Sequence, residues 1–265
     1  MGDFPFSGKT AFISGGASGI GQAIAEEFGR RGLRVVIGDI DLAGAERVAC
    51  GIDGASAVKL DVRDEANWIA ALDLAEARHG PLAVLVSNAG VAGTVLPLRD
   101  TPWDAWKWSR EISLDGAFFG LSHGSRRIVA SGGPGHIIAT ASMSVFDVPP
   151  GMSIYAAMKA GVVALCEGLR QELTVLGIGV SVLVPGPVRT KLVESNVSRA
   201  PSGVSQVGNL DVFIDMLRNG KDPSVVAKQT ADALGTDRFW LFTHPEMEYR
   251  ITNRFAEMKA ALAQR

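Results

Sequence analysis

The strongest chemical signal in this chain is the run Tyr155-Ala156-Ala157-Met158-Lys159. On a helix, residues four apart share a face, so the Lys159 ammonium can stand beside the Tyr155 hydroxyl. A free phenol titrates near about 10, too high for a good base at neutral pH, and a neighbouring cation pulls that value down. A tyrosine paired in this way could pass a proton to or from a substrate oxygen. By itself the pair is common on ordinary surface helices. It sharpens because Ser142 lies 13 residues earlier (155 − 142), just past the apolar β-rich run His136–Ala141. In a doubly wound sheet, that carboxyl end is where ligands bind.

A second cluster suits a dinucleotide. Directly after the first β-rich run comes Ser14-Gly15-Gly16-Ala17-Ser18-Gly19-Ile20-Gly21, which opens a helical pattern. Glycines 15, 19 and 21 let the chain turn tightly and bring backbone close to a pyrophosphate, to which the helix N-terminus offers N–H groups and positive dipole. The spacing is G-x-x-x-G-x-G, not the G-x-G-x-x-G of other dinucleotide folds. Asp39 closes the second strand, 18 residues past Gly21 (39 − 21). A carboxylate at about that separation accepts hydrogen bonds from the adenosine ribose hydroxyls and repels a 2′-phosphate. No Arg or Lys lies in the glycine turn and Ile40 follows Asp39, so NAD is favoured over NADP. Helix capping suits Asp41 better, since it stands immediately before a helical run.

The elements that must hold these residues alternate along the chain. Thr10–Ser14, Arg34–Asp39, Ala57–Leu60, Ala83–Ser87, His136–Ala141 and Val180–Val184 read as strands, and their near-continuous apolar character fits a parallel sheet covered on both faces. Helical patterns fill the gaps: Ile20–Arg31, Leu42–Cys50, Glu65–His79, Trp103–Ser131 and Ile154–Leu176. The expected fold is therefore α/β, a doubly wound Rossmann-type parallel sheet with helices on both faces, in a single domain spanning residues 1–265. Asp222 and Pro223 are placed to start a helix Pro223–Leu234, followed by a short strand Trp240–Phe242 and an amphipathic tail Glu246–Ala263. Lys191–Asn209 interrupts the rhythm, and loops of that length are usually functional or mobile.

Composition narrows the function. The chain has 265 residues, 47% of them apolar, with a formal charge of −2 and no long block of like charge, so neither a nucleic-acid face nor an anionic membrane surface is expected. The two cysteines, Cys50 and Cys166, show no metal-ligand spacing and read as small core residues. The four histidines show none either, and no metal is expected. Met1 to Lys9 lacks a signal pattern and no apolar run spans a membrane, which by default implies a cytoplasmic setting. Trp103, Trp106 and Trp108 have too few basic neighbours for a nucleic-acid stacking platform, so packing is expected.

Residues Thr10 to about Thr190 resemble the short-chain dehydrogenase/reductase family of single-domain Rossmann-type enzymes. The motifs come in order: the turn ending Gly19-Ile20-Gly21, Asp39, Asp61-Val62, Asn88-Ala89-Gly90, Ser142, Tyr155-x-x-x-Lys159 and Pro185-Gly186-Pro187-Val188-Arg189-Thr190. The resemblance implies that Gly15, Ser18, Gly19 and Ile20 line the pyrophosphate and that Asp61 and Val62 touch adenine. It implies further that Asn88 and Gly90 line the cofactor, and that Pro185, Val188 and Thr190 border the nicotinamide. Tyr155 would pass the proton, Lys159 would bind ribose and lower the tyrosine pKa, and Ser142 would orient the substrate oxygen. A homo-oligomer, dimer or tetramer, follows from the same resemblance. Ser14 stands where the family usually has Thr, Ser87 where Asn is common, and Ser113 where an Asn typically holds a water that relays protons to the lysine. That last departure bears on rate more than on reaction type. The stretches Ser131–Ile138 and Phe242–Pro245 are similar to a bacterial subgroup that includes dehydrogenases of benzylic alcohols.

Three functions compete: an NAD-dependent dehydrogenase acting on a small-molecule alcohol or ketone, an NAD-binding sensor or scaffold, and a lyase or epimerase on the same fold. Intact Ser142, Tyr155 and Lys159 favour the first. The substrate is expected to be an apolar or aromatic secondary alcohol or its ketone. Lys191–Leu217 forms a largely apolar lid in this reading, with Leu192, Val193, Val197, Val204, Val207, Leu210, Phe213, Ile214 and Leu217, and Met143, Phe146 and Met152 lie opposite. Met143, Phe146, Val148 and Met152 all sit between Ser142 and Tyr155, a stretch for which pocket lining and plain core are equally open.

Overall fold

The computed structural model describes residues 5–193, 199–201 and 210–263. Seven strands, β1 (Thr10–Ser14), β2 (Arg34–Asp39), β3 (Ser56–Lys59), β4 (Leu82–Ser87), β5 (Gly135–Thr140), β6 (Ile178–Val184) and β7 (Trp240–Phe242), pair in parallel in the order β3-β2-β1-β4-β5-β6-β7. Strand side chains alternate between faces. In β1, Ala11 and Ile13 therefore enter one core layer and Phe12 the other. Helices α1 (Gly19–Arg30) and α2 (Leu42–Cys50) cover the first face, and Trp68 of α3 (Glu65–His79) packs on the second. The expected doubly wound fold is what forms. Strand ends differ from the sequence expectation by one or two residues, as at β3.

The helical run Trp103–Ser131 forms, with one change that periodicity cannot reveal. It divides into α4 (Trp103–Arg110), a π-helical turn Glu111–Asp115 and α5 (Gly116–Ser131). Such turns insert an extra residue and often mark functional sites. Ser113 is the middle residue of this one. Four more helices complete the described chain: α6 (Ser153–Thr174), α7 (Leu210–Arg218), α8 (Pro223–Ala231) and α9 (Glu248–Ala263). Asp41 caps α2 by accepting from Gly44 N, and Asp222 caps α8 by accepting from Ser224 N, as their positions suggested. Cys166 is buried, but Cys50 is exposed at the end of α2, so only one of the two is a core residue. No described helix is long and apolar enough to cross a membrane.

His136 on β5 is fully buried, and its bonds define its tautomer. Gly235 N donates to Nδ1 at 3.3 Å, so Nε2 carries the proton and donates to Ser181 Oγ at 2.9 Å; that hydroxyl donates on to Arg238 O. Gly179 makes room for the ring, since a Cβ there would lie 2.4 Å from Nδ1. Burial pulls the imidazole pKa down to about 4. The folded state thus binds the neutral ring, and its contribution is complete above the unfolded value of about 6.5. It is lost as pH falls from there toward 4, by an amount on the order of 3 kcal/mol if the full shift applies. Thermal melts of the wild type should therefore drop between pH 7 and 5 more steeply than those of His136→Gln. Parallel slopes would show that another group controls acid stability.

Candidate active site

The cleft opens where the strand order reverses, between β1 and β4, at the carboxyl ends of the strands. Its volume is about 640 Å³. Gly15 (φ +68°) lets the turn after β1 pass so close to β4 that a Cβ would sit 2.7 Å from Ala89 Cα. Asn88 locks this crossing. Its Nδ2 donates to Ser14 O at 3.2 Å and Gly15 O at 3.1 Å, and its Oδ1 accepts from Thr140 Oγ1 at 3.1 Å. Ser14 Oγ accepts from the backbone N–H groups of Asn88 and Ala89, which is why a serine serves there. Ser18 stands at the start of α1, whose first turn contains no acidic residue, so the positive end of the helix faces the cleft uncompensated.

Beyond the turn lies a charged end. Asp39 is buried; Oδ2 accepts from Ala17 N at 3.0 Å and Oδ1 from Asp41 N at 2.9 Å, which aims the carboxylate at the cleft. Asp61 is gripped by the Arg63 guanidinium (Nη2 to Oδ2, 2.6 Å), which holds its carboxyl below the usual range. Val62 is buried against Gly116 and also lines the cleft. The expectation of no basic residue near Asp39 holds for neighbours in sequence and fails in space. Arg199 Nη1 stands 3.8 Å from Asp39 Oδ1.

At the other end Ser142, Tyr155 and Lys159 converge. Ser142 ends β5's extension and accepts from Ser144 N at 3.2 Å, which steers its Oγ. It also acts on Tyr155, lowering its phenol pKa. Tyr155 is half-buried with part of its surface on the cleft. Lys159 was expected to lower the phenol pKa; here burial pushes it up, and Ser142 acts the other way. Lys159 is buried, donates to Thr140 O at 2.8 Å and lies 5.9 Å from the Tyr155 ring centroid. Burial lowers its ammonium to about 8. Gly90 separates Lys159 from Ser113: a Cβ there would lie 3.2 Å from Lys159 Nζ and 3.5 Å from Ser113 Oγ. Ser113 is buried behind the wall, where its Oγ accepts from Val91 N and donates to Val91 O.

The loop after β6 is clamped by a residue that sequence reasoning set aside. Gly186 N donates to His244 Nδ1 at 3.0 Å, so Nε2 is protonated and donates to Pro187 O at 2.8 Å. Val188 is buried and pairs with Lys221 in an isolated bridge, and Thr190 Cγ2 comes within 3.0 Å of a Cβ position on Gly19. Pro185, Val188 and Thr190 thereby line the cleft together with Gly19 and Ile20. No local spacing pattern could have singled out His244.

The remaining wall is apolar: Val91, Trp108, Ile112, Met143, Met152, Met216, Leu217 and Met247, with Arg250 at its margin paired to Asp147. Ser144 adds a buried hydroxyl without a partner among the described residues. Phe146 was expected here and is turned away, packing on Trp240 and Phe242 with centroids 5.7 Å apart. Val148 is exposed. Trp108 packs with Ala105, as expected of a structural residue, and still presents a surface to the cleft. Of the expected lid, Leu192 and Leu217 line the cleft, Val193 is buried and Ile214 is half-buried. Val197, Val204 and Val207, and the side chains of Leu210 and Phe213, lie outside the described residues.

Known proteins share this arrangement. A family model of short chain dehydrogenases matches residues 9–200. The C alpha-dehydrogenase of a Sphingobium species is 30% identical, over 94% of this chain and 85% of its own length. The NADP-dependent (R)-specific alcohol dehydrogenase of Lentilactobacillus kefiri is 32% identical, over 71% of this chain and 76% of its own. A short chain dehydrogenase/reductase from Burkholderia phymatum, crystallised with NAD, superposes with a TM-score of 0.89 at 28% identity, covering 97% of this chain and 96% of that one. The sheet order, the cleft and the extent of the match agree: this chain belongs to the short-chain dehydrogenase/reductase family of oxidoreductases.

Proposed function

We propose that this chain uses NAD to interconvert a secondary alcohol and its ketone, the body of the substrate being apolar or aromatic. The observation that carries the reading is one cleft with two unlike ends. Asp39 marks one, and Tyr155, with Ser142 on the same wall and Lys159 alongside, marks the other. The residues present fit the cofactor. Gly15 and Gly19, both at positive φ, line the cleft beside an α1 N-terminus free of acidic residues, and Asp39 is aimed for ribose hydroxyls. Gly15, Ser18, Gly19 and Ile20 would hold the pyrophosphate, Asp61 and Val62 the adenine, Asn88 and Gly90 the middle, and Pro185, Val188 and Thr190 the carboxamide side. When bound, the nicotinamide supplies the hydride acceptor or donor.

The protein's own groups then manage the proton. Ser142 orients the substrate oxygen, and Tyr155 takes its proton during oxidation or returns one during reduction. Burial makes the phenolate costly here, so the Lys159 charge beside it must offset that cost. Lys159 is held for this by Thr140 O. Ser113 borders the route along which the proton leaves Lys159.

Tyr155→Phe should lower turnover at least about a hundredfold and leave NAD affinity nearly unchanged, whereas Lys159→Ala should damage both. Steady-state rates with a secondary alcohol, beside a cofactor titration, check this; a smaller loss in Tyr155→Phe would move the acid/base role elsewhere. An amide reaches farther than a hydroxyl, so Ser113→Asn should extend toward Lys159 and raise turnover or broaden its pH range. An unmoved pH–rate profile would mean that proton release past Lys159 never limits the rate. The wall of Met143, Met152, Met216 and Met247 should give a higher kcat/KM for a benzylic alcohol than for a sugar alcohol. The opposite ranking would sink the apolar-substrate reading.

A further inference from the structure

We propose that Arg199 is a second determinant of cofactor choice, one that narrows the preference set by Asp39 and lets the protein accept NADP. This rests on the reading of Asp39 as the ribose partner. A carboxylate there disfavours a 2′-phosphate, while an arginine nearby accommodates one. This cleft holds both. Arg199 Nη1 stands 3.8 Å from Asp39 Oδ1, beyond hydrogen-bond range, so the two form a loose ion pair across the mouth of the pocket.

The surroundings favour Arg199 over Arg63, another cation lining the cleft. Arg63 is bound to both oxygens of Asp61, with Nε at 2.9 Å from Oδ1 and Nη2 at 2.6 Å from Oδ2, so its fork is occupied. Both oxygens of Asp39 already accept a backbone N–H, which keeps the carboxylate in place when the arginine turns away. Arg199 is about half-exposed, and among the described residues only Asp39 pairs with it. A 2′-phosphate on a ribose that meets Asp39 would arrive within reach of that guanidinium, whose planar fork matches phosphate oxygens. Its charge also screens Asp39 and weakens the repulsion that would otherwise exclude the phosphate.

The test is a titration of the full chain with NADH and NADPH, followed by nicotinamide fluorescence, for the wild type, Arg199→Ala, Arg199→Lys and Asp39→Asn. The wild type should bind NADH more tightly yet bind NADPH measurably. Arg199→Ala should weaken NADPH about tenfold while moving NADH by less than about twofold, and Arg199→Lys should keep part of the NADPH affinity. The NADPH loss should shrink at high salt, as a partly exposed charge contact does. Parallel weakening of both cofactors in Arg199→Ala would overturn the proposal and make the residue a clasp for any dinucleotide; no change in either would overturn it outright. Asp39→Asn separates the two levels. If it weakens NADH while Arg199→Ala leaves NADPH alone, only the role of Arg199 fails. If it moves neither cofactor, the ribose site lies elsewhere and both readings fall.

Discussion

A chain of hydrogen bonds runs through the centre of this protein, from the carbonyl of Gly15 through the Asn88 amide to Thr140 and on to the Lys159 ammonium. It joins the ends of β1, β4 and β5 and then the first turns of α6. Each member satisfies a group that burial would otherwise leave unpaired, at a cost of about 1–3 kcal/mol apiece. The spacing between the glycine turn and the tyrosine–lysine pair is therefore set by one continuous network. Gly15 is the other half of the constraint, because any side chain there would strike Ala89 and push β1 from β4.

The same network explains how a lysine can be buried. Taking an ammonium out of water disfavours its charge, and burial here lowers Lys159 to about 8. The bond to Thr140 O, a charge-assisted one, offsets part of that cost and aims the group past the Tyr155 ring. Phenol and ammonium are both strained toward their neutral forms by the surrounding protein.

Polarity changes along the cleft in step with the elements that form it. The charged end is made by the tips of β2 and β3, where chain direction reverses and Asp39, Asp41 and Asp61 cap turns or pair with arginines. The opposite end is made by helix flanks and by the aromatic group Phe146, Trp240 and Phe242, which supports the wall from behind. Met143, Met152, Met216 and Met247 line the cleft and give an apolar surface that can adapt its shape.

Much of this was legible in the residues alone. Alternation of apolar strands with helical runs specifies a parallel doubly wound sheet, because such strands bury both faces and need crossover helices. Glycine spacing, Asp39 at the end of β2 and the four-residue step from Tyr155 to Lys159 are local patterns, and local geometry brings each into register. Contacts between distant segments were not legible. Nothing near Asp39 in sequence announces Arg199, nothing near Gly186 announces His244, and no periodicity tells Met143 to face the cleft and Phe146 to leave it. The π-turn at Ser113 escaped as well, because one inserted residue hardly disturbs a helical pattern. The sequence by itself determined the sheet, the turn and the tyrosine–lysine face, since each follows from backbone preferences within a few residues. Only the tertiary structure decided which side chains share the cleft and which charges meet there, because packing joins residues whose separation along the chain carries no energy of its own.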